Sequence, residues 1–322
     1  MKTLVSCIIP TFNRPQMLKE AIDSIRAQTH PHWELLVVDD HSTDNTAEVI
    51  KRYQKADPRI RYLKNPKKGV TSARNHGVKA ANSHIVAFLD HDDISWPHRF
   101  ESQLRAMETS GTQFLVSGMQ VIDTKGGKAP ENFKLELKAT AAGFPSRWML
   151  NKGLLEKAGG FDEEFSCMED VECSYRLARH ETFAMHDDIV LTYRIVPGSI
   201  SRNIRGNLEA RLRIIEKHGA FLPTLETAWW HYSAGMDYYA LREEEEALAQ
   251  LEKAAQLDDR GIYRWAYLLL KKTPFRKGIF KKINLRVLKE LGSYKFPPLV
   301  EHQVIPRQVE PIPVNAIQLA SN

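Results

Sequence analysis

An apolar run, Ile85-Val86-Ala87-Phe88-Leu89, stops abruptly at Asp90-His91-Asp92-Asp93. A buried strand reads this way when it delivers acidic groups to the carboxyl edge of a sheet, the edge at which open α/β sheets bind ligands. Asp90 and Asp92 are separated by one residue, so both can turn toward one divalent cation. Hard cations such as Mg2+ or Mn2+ take one or two protein carboxylates and fill their shell with phosphate oxygens and water. Taken alone, an acidic cluster this short is more often a solvated turn.

The flanking chain narrows the choice. Val5 to Pro10 reads as a buried strand, followed by the polar turn Thr11-Phe12-Asn13-Arg14 and a helix from Pro15 to about Gln28, striped by Leu18, Ala21, Ile22 and Ile25. Leu35 to Val38 is a second strand, ending in Asp39-Asp40. Ser42 is a candidate cap for the next helix, which carries Val49 and Ile50. Arg59 to Leu63 is a short third strand, and Gly69 opens a helix holding Arg74 and Asn75. After the acidic cluster, Trp96-Pro97 leads into a helix with Phe100, Leu104 and Met107 on one face. Alternating strands and helices with short loops predict an α/β fold with a mostly parallel, twisted sheet covered on both faces. Neither G-x-G-x-x-G nor G-x-x-x-x-G-K-[ST] follows a strand. Nucleotide binding would need another device: Asp40 accepting from a base N–H, with a metal taking the phosphates.

Four segments in order, VSCIIPTFNR (5–14), ELLVVDDHSTDNT (34–46), GVTSARN (69–75) and FLDHDDISWP (88–97), resemble the family 2 glycosyltransferases of the GT-A type. The likeness covers roughly residues 1–205. It implies a GT-A fold in which Thr11 and Phe12 lie against the base of a nucleotide-sugar, Asp40 binds that base (typically uracil), and Arg74 borders the nucleotide. It further implies that the D-x-D supplies the ribose and Mn2+ or Mg2+ contacts, with Asp92 the direct metal ligand, Asp90 in support and His91 a spacer whose backbone faces the ribose. The bland readings stand beside these. Thr11 and Asn13 are also candidate caps, Asp39 a turn residue, Arg74 a solvated or ion-paired helix residue, and Asp93 a structural acid.

Downstream, Phe114 to Ile122 reads as a strand and 146–150 as a sheet edge. Trp148 is either core or a platform for the C–H face of a pyranose. Glu169-Asp170 sits where a helical pattern begins, so the helix dipole favours a carboxylate there. Capping alone also accounts for it. The segment GGFDEEFSCMEDVECSYR (159–176) again matches the family, which implies that Asp170 is the general base. A positioned base contributes about 10²- to 10⁴-fold. With a metal-bound leaving group on the other side of the sugar, the expected outcome is inversion without a covalent intermediate. Glu169 and Arg194 are candidate contacts to acceptor or diphosphate. The Tyr193-Arg194 to Ser201 segment fits the family pattern except that Val196 stands where histidine is frequent, and Arg202 is a second candidate for the diphosphate.

Three domains are expected: a glycosyltransferase domain at 1–220 (nucleotide half 1–110, acceptor half 111–220), a helical appendage at 221–292, and a Pro-rich tail at 293–322, extended or disordered. In the appendage, Gly235, Tyr238, Ala247, Leu251 and Ala254 have the spacing of one tetratricopeptide-like helix pair. Residues 271–289 carry eight basic and no acidic side chains, so the segment to 291 is either an ordinary amphipathic helix or a peripheral contact to an anionic membrane. The overall balance of 45 basic and 40 acidic residues is too mild to imply nucleic acid. Three cysteines without a C-x-x-C pair, and no apolar run of membrane-spanning length, fit a cytoplasmic chain. The partners expected are a nucleotide-diphosphate sugar and a glycan or lipid-linked acceptor, in surface polysaccharide synthesis. Two other classes are weighed against this. An aspartyl-nucleophile phosphatase would need Asp90 as nucleophile and Thr or Val where Ile94 stands. A non-catalytic scaffold would leave the acids at 40, 92 and 170 without a purpose.

Overall fold

The computed structural model describes residues 2–123, 142–181, 183–196, 203–258, 261–272 and 304–305. Its sheet begins with β1 (Val5–Thr11) and β2 (Trp33–Asp39), both buried along their whole length, then β3 (Ile60–Lys64) and β4 (Ile85–Phe88). β1 lies between β2 and β4, and β2 pairs with β3, all parallel. The rest of the sheet consists of β5 (Ile94–Ser95), β6 (Phe114–Asp123), β7 (Trp148–Asn151) and β8 (Ala184–Ile195). β7 joins the halves by pairing antiparallel with both β4 and β6; β6 pairs parallel with β8, and β5 antiparallel with β8. The strand order is β3-β2-β1-β4-β7-β6-β8-β5. In the tail, Val304–Ile305 (β9) pairs parallel with β8 at Met185 and His186.

Helices cover both faces. Side chains alternate along β1: Val5, Cys7 and Ile9 pack with Leu18, Ile22 and Ile25 of α1 (Pro15–Arg26), and with Phe100 and Leu104 of α4 (Arg99–Ser110). Ile8 faces the other way, toward Ala73 and Val78 of α3 (Val70–Ala80), alongside Leu154 of α5 (Lys152–Lys157) and Cys173 and Leu177 of α6 (Glu169–Ala178). α3 approaches β1 so closely that a Cβ on Gly77 would lie 2.5 Å from Ile8 Cγ2. α2 (Thr46–Ala56) begins later than the Ser42 cap expected from sequence. Asp44 accepts from the Thr46 amide, while Ser42 Oγ accepts from the Asn13 amide and thereby laces the end of β1 to the end of β2. Asn13 likewise does not cap α1; its carbonyl oxygen accepts from Thr43 N–H.

The strand order reverses direction between β1 and β4. β4 pairs with β1 only as far as Phe88 opposite Ile8, so Pro10 stands beyond its reach and costs no ladder bond. The two strands part there, and such a switch point opens a crevice at the strand ends. After the sheet come α7 (Ile204–His218), α8 (Thr224–Leu241), α9 (Glu244–Leu257) and α10 (Arg264–Lys272). A Cβ on Gly235 of α8 would lie 2.8 Å from Leu251 of α9, so this helix pair depends on a small residue at the crossing. Tyr175 of α6 donates to Glu226 of α8 and accepts from Trp230 Nε1, so buried polar contacts join α6 to these helices.

Candidate active site

The crevice holds a cavity of about 390 Å³ whose walls include Thr11, Phe12, Asp40, Gly69 and His91. Asp40, at the end of β2, is oriented by two donors: Asn65 Nδ2 at 2.7 Å from Oδ1, and the Gly69 amide at 2.9 and 3.0 Å from the two oxygens. Gly69 has φ 127°, a conformation that favours glycine and aims its N–H at the carboxylate. Thr11 Oγ1 and His91 Nε2 are buried without partners, although a hydrogen-bonding group shut away from water costs about 1–3 kcal/mol. Both belong to the cavity wall, so the cavity presents unused polar atoms to whatever enters it. Phe12 is an exposed large aromatic at the rim. Lys67 and Glu163, both in the cavity wall, pair at 2.6 Å.

His91 connects this cavity to the acids beside it. The two D-x-D carboxylates differ in their surroundings. Asp90 Oδ1 accepts from Arg74 at 2.7 Å. Asp92 faces Arg14 at 3.7 Å; burial pushes its carboxyl above the usual range, His91 and Arg14 pull it back, and Asp90 adds to the rise. Asp93 is fully buried and pushed well up by burial and by both neighbouring acids, as befits a structural residue. Arg194 holds this loop from β8: its amide donates to Asp93, and its guanidinium engages the Asp92 carbonyl and Glu20.

Arg74 is the hub. Only 3% exposed, it pairs with Asp90 on one side and Glu169 on the other, which excludes the solvated reading. Burial opposes its charge, and the two carboxylates more than offset that, so it is held charged. Glu169 and Asp170 form the first turn of α6. Asp170 Oδ2 accepts from Phe144 N–H at 2.7 Å and Oδ1 from Val171 N–H at 2.8 Å. Burial, then the charge of Glu169, raises its pKa to about 6 against the pull of those amides and Arg74. A carboxyl with that pKa is ionised at neutral pH yet basic enough to take a proton.

Trp148 departs from one of its two sequence readings. It is fully buried at the start of β7, stacked on Phe161 at 5.9 Å and set edge-on to Phe88 and Phe114. A ring enclosed by these three others has no face to offer a sugar, so the platform reading falls. Arg202 and the basic residues from 273 onward lie outside the described residues. Two groups escaped the sequence reading. Ser146, fully buried, accepts the Asp90 amide at 2.9 Å. Glu172, also fully buried, gathers Arg176, Lys217 and His218. The E-D-x-E spacing was visible, but the partners on α7 are more than 40 residues away.

A divalent cation fits this site as a guest of one or two carboxylates plus phosphate oxygens. Asp92, crowded by Asp90 and raised by burial, is the carboxylate a cation would relieve. Among the described residues no group of three or more His, Cys, Asp or Glu could hold a metal alone, so the remaining ligands would come from the substrate and water.

A parallel sheet that opens between β1 and β4, with acids following β2 and β4 and an antiparallel β7 joining it to β6 and β8, is that of the GT-A class of fold. Residues 6–157 match glycosyl transferase family 2. A glycosyltransferase of Methanocaldococcus jannaschii, itself uncharacterized, is 32% identical over 243 residues, 71% of this chain and 80% of that one. The chain therefore belongs to family 2 of the glycosyltransferases. It is 38% identical over 121 residues to WfgD of Escherichia coli, a UDP-Glc:α-D-GlcNAc-diphosphoundecaprenol β-1,3-glucosyltransferase, covering 37% of this chain and 47% of that one. An uncharacterized glycosyltransferase of Rickettsia felis is 42% identical over 124 residues, 38% of this chain. The chain spans between 18% and 50% of the length of that protein, a Rickettsia bellii relative and a Bacillus subtilis one. In fold it is similar to residues 1–349 of Staphylococcus aureus TarS in complex with UDP-GlcNAc (TM-score 0.61, 18% identity, 90% and 92% of the two chains). A Pyrobaculum calidifontis mannosyltransferase in complex with GDP-Man and Mn2+ is similar too (TM-score 0.58, 17% identity, 89% and 86%).

Proposed function

We propose that this chain transfers a sugar, with inversion, from a nucleotide-diphosphate sugar, most simply a UDP-sugar, to a hydroxyl of a glycan or lipid-linked acceptor. The single observation that carries the reading is the buried chain of contacts Asp90–Arg74–Glu169, which joins the D-x-D loop to the turn bearing Asp170. Proton acceptor and leaving-group site are thereby held in one frame. Asp40 accepts from an N–H of the base, with Thr11 and Phe12 beside it. Asp170 takes the proton of the acceptor hydroxyl as its oxygen bonds to the anomeric carbon and the bond to the diphosphate breaks on the opposite side. A divalent cation at Asp92, when bound, supplies neutralisation of the charge growing on the diphosphate. The named activity of WfgD and the Mn2+ in the mannosyltransferase complex support the lipid-linked acceptor and the metal.

The phosphatase alternative loses its nucleophile, because Asp90 is committed to Arg74. We further propose that the unit runs to 220, with the following helices packed on it. The membrane reading of 271–291 falls almost wholly outside the described residues. Among those described, no helix is long and apolar enough to cross a membrane. Calorimetric titration with UDP tests the function. Mn2+ is expected to tighten UDP binding, and Asp92→Ala to abolish that gain. UDP affinity indifferent to Mn2+ in the unmodified protein would refute the metal–diphosphate assignment.

A further inference from the structure

We propose that the backbone amide of Phe144 is the positioning group for the Asp170 carboxylate, and that Ser146 pins that amide by tying the same turn to the D-x-D loop. The inference rests on the reading of Asp170 as proton acceptor, and deepens it.

The segment is an unusual one. Phe144 has φ 63° and ψ 87°, and it caps a 3-10 turn over Pro145–Arg147. A bulky residue in the left-handed region costs about 1 kcal/mol or more and persists only where its surroundings hold it. Among the described residues, five other than glycine have positive φ, and two of them border Asp170: Phe144, and Met168 at the head of α6. The other three are Asn13, His41 and Arg242. Strain in hydrophobic residues is therefore concentrated at the turn that meets this carboxylate.

Contacts on both sides keep the turn in place. Phe144 N–H donates to Asp170 Oδ2 at 2.7 Å, and a Cβ built on Gly143 would lie 3.7 Å from the same oxygen, so the main chain runs directly along the carboxylate. Upstream, the Ala142 amide donates to Ser174 Oγ one helical turn along α6. Downstream, Ser146 Oγ accepts from the Asp90 amide at 2.9 Å, leaving its hydroxyl proton for the Asp93 carboxyl. Arg147 Nε donates to Ser117 O on β6, and Arg147 O accepts from Gln103 of α4. Pro145, Ser146 and Arg147 are all buried. Residues 142–147 thus form a rigid strap whose ends touch the two chemistries of the site. The side chain of Phe144 has only to sit against Tyr193 at 5.1 Å. Its amide does the positioning, so any residue that tolerates φ near 60° can serve.

That last consequence makes the proposal testable without knowing the donor or the acceptor. The groups facing Asp170 are Glu169 on α6, Arg74 on α3, the amides of Phe144 and Val171, and the thiols of Cys167 and Cys173, which burial keeps neutral. The full chain is labelled with carbon-13 at aspartate carboxyls and titrated by NMR, the Asp170 signal being assigned by its loss in Asp170→Asn. In the unmodified protein it is expected to titrate near 6. Phe144→Gly keeps the amide and the left-handed turn, so the midpoint stays. Phe144→Val forces the turn out of that region, removes a charge-assisted hydrogen bond and raises the midpoint by about one pH unit or more. Ser146→Ala, a smaller change that serves if the valine variant does not fold, raises it in the same direction. Equal shifts in Phe144→Gly and Phe144→Val would show that the ring and not the amide matters, and would overturn the proposal; so would an unmoved midpoint in Ser146→Ala. Transfer that survives Asp170→Asn would instead remove the underlying base assignment, whatever the titrations show.

Discussion

Replacing Glu172 by glutamine keeps the volume of the side chain and removes its charge. The carboxylate is fully buried on α6 and accepts from Arg176 at 2.6, 2.9 and 3.0 Å, from Lys217 at 2.6 Å and from His218 at 3.1 Å. Lys217 is 39% exposed, so its share is screened, whereas Arg176 and His218 are nearly enclosed. Taking one partner from a buried ion pair costs about 3–5 kcal/mol, because the other charge stays behind without compensation. Glutamine still offers one acceptor, so the lower figure, about 3 kcal/mol, is expected at pH 7. The pH dependence carries the sign. Burial works to raise the Glu172 carboxyl, and hydrogen bonds from His218, Arg176 and Lys217 overcome it, leaving the folded-state value well below the ordinary 4.5. The contribution is therefore complete above 4.5 and is lost as pH falls toward the folded value. Each pH unit below 4.5 removes up to about 1.4 kcal/mol of the advantage over glutamine. Urea unfolding of both proteins at pH 7 and at pH 3.5 reads the difference directly. A gap under about 1 kcal/mol at pH 7, or the same gap at both pH values, would mean that the carboxylate is not stabilised by its buried partners.

Two further outcomes follow from single contacts. Asp170 must be ionised to accept a proton, so the transfer rate is expected to fall as pH drops through about 6, the value to which burial and Glu169 raise it; a rate flat from pH 7 to pH 5 would contradict the assignment. Gly77→Ala would place a Cβ 2.5 Å from Ile8 and force α3 off β1, at about 1–3 kcal/mol in a thermal melt, with weaker UDP binding because Arg74 rides on that helix.

Much of the N-terminal part was legible in the sequence, for a physical reason. Strands buried on both faces leave unbroken apolar runs, and a run that ends in acids can place those acids only at the sheet edge. Asp40 and the D-x-D were found in that way, and Pro10 marks where β1 leaves its neighbour. Asp170 needed the resemblance as well, since a carboxylate in the first turn of a helix is as readily a cap. Trp148 shows the opposite limit. Its ambiguity is settled by the rings packed on it, one of which, Phe88 of β4, lies some 60 residues upstream. Ser42 was misplaced by the same kind of distance: its hydroxyl accepts from the Asn13 amide beyond the end of β1, not from its own helix. Ser146 and Glu172 gave no periodic signal, because a polar side chain that is buried for its partners is indistinguishable in sequence from one that is solvated.

Those partners also explain why the site coheres. The N-terminal parallel strands and the later part of the sheet meet along β4 and β7, and a hydrogen-bonded strand pair alone fixes the backbones without fixing the acids at their ends. Arg74 supplies what the pairing lacks. It is carried by α3 of the N-terminal part, it pairs with Asp90 of that part, and it reaches across to Glu169 of the other. The strap at 142–147 makes the reciprocal connection, leading into β7 and binding both the Asp90 amide and the Asp170 carboxylate. Each half thus sends one element into the other, and both crossings end on the same two acidic turns. A shift of α6 relative to the D-x-D loop would have to break a buried ion pair and a buried hydrogen-bonded turn together. The separation between the D-x-D loop and Asp170 is therefore a property of the folded frame, and positioning of that kind is what the proposed in-line displacement would require.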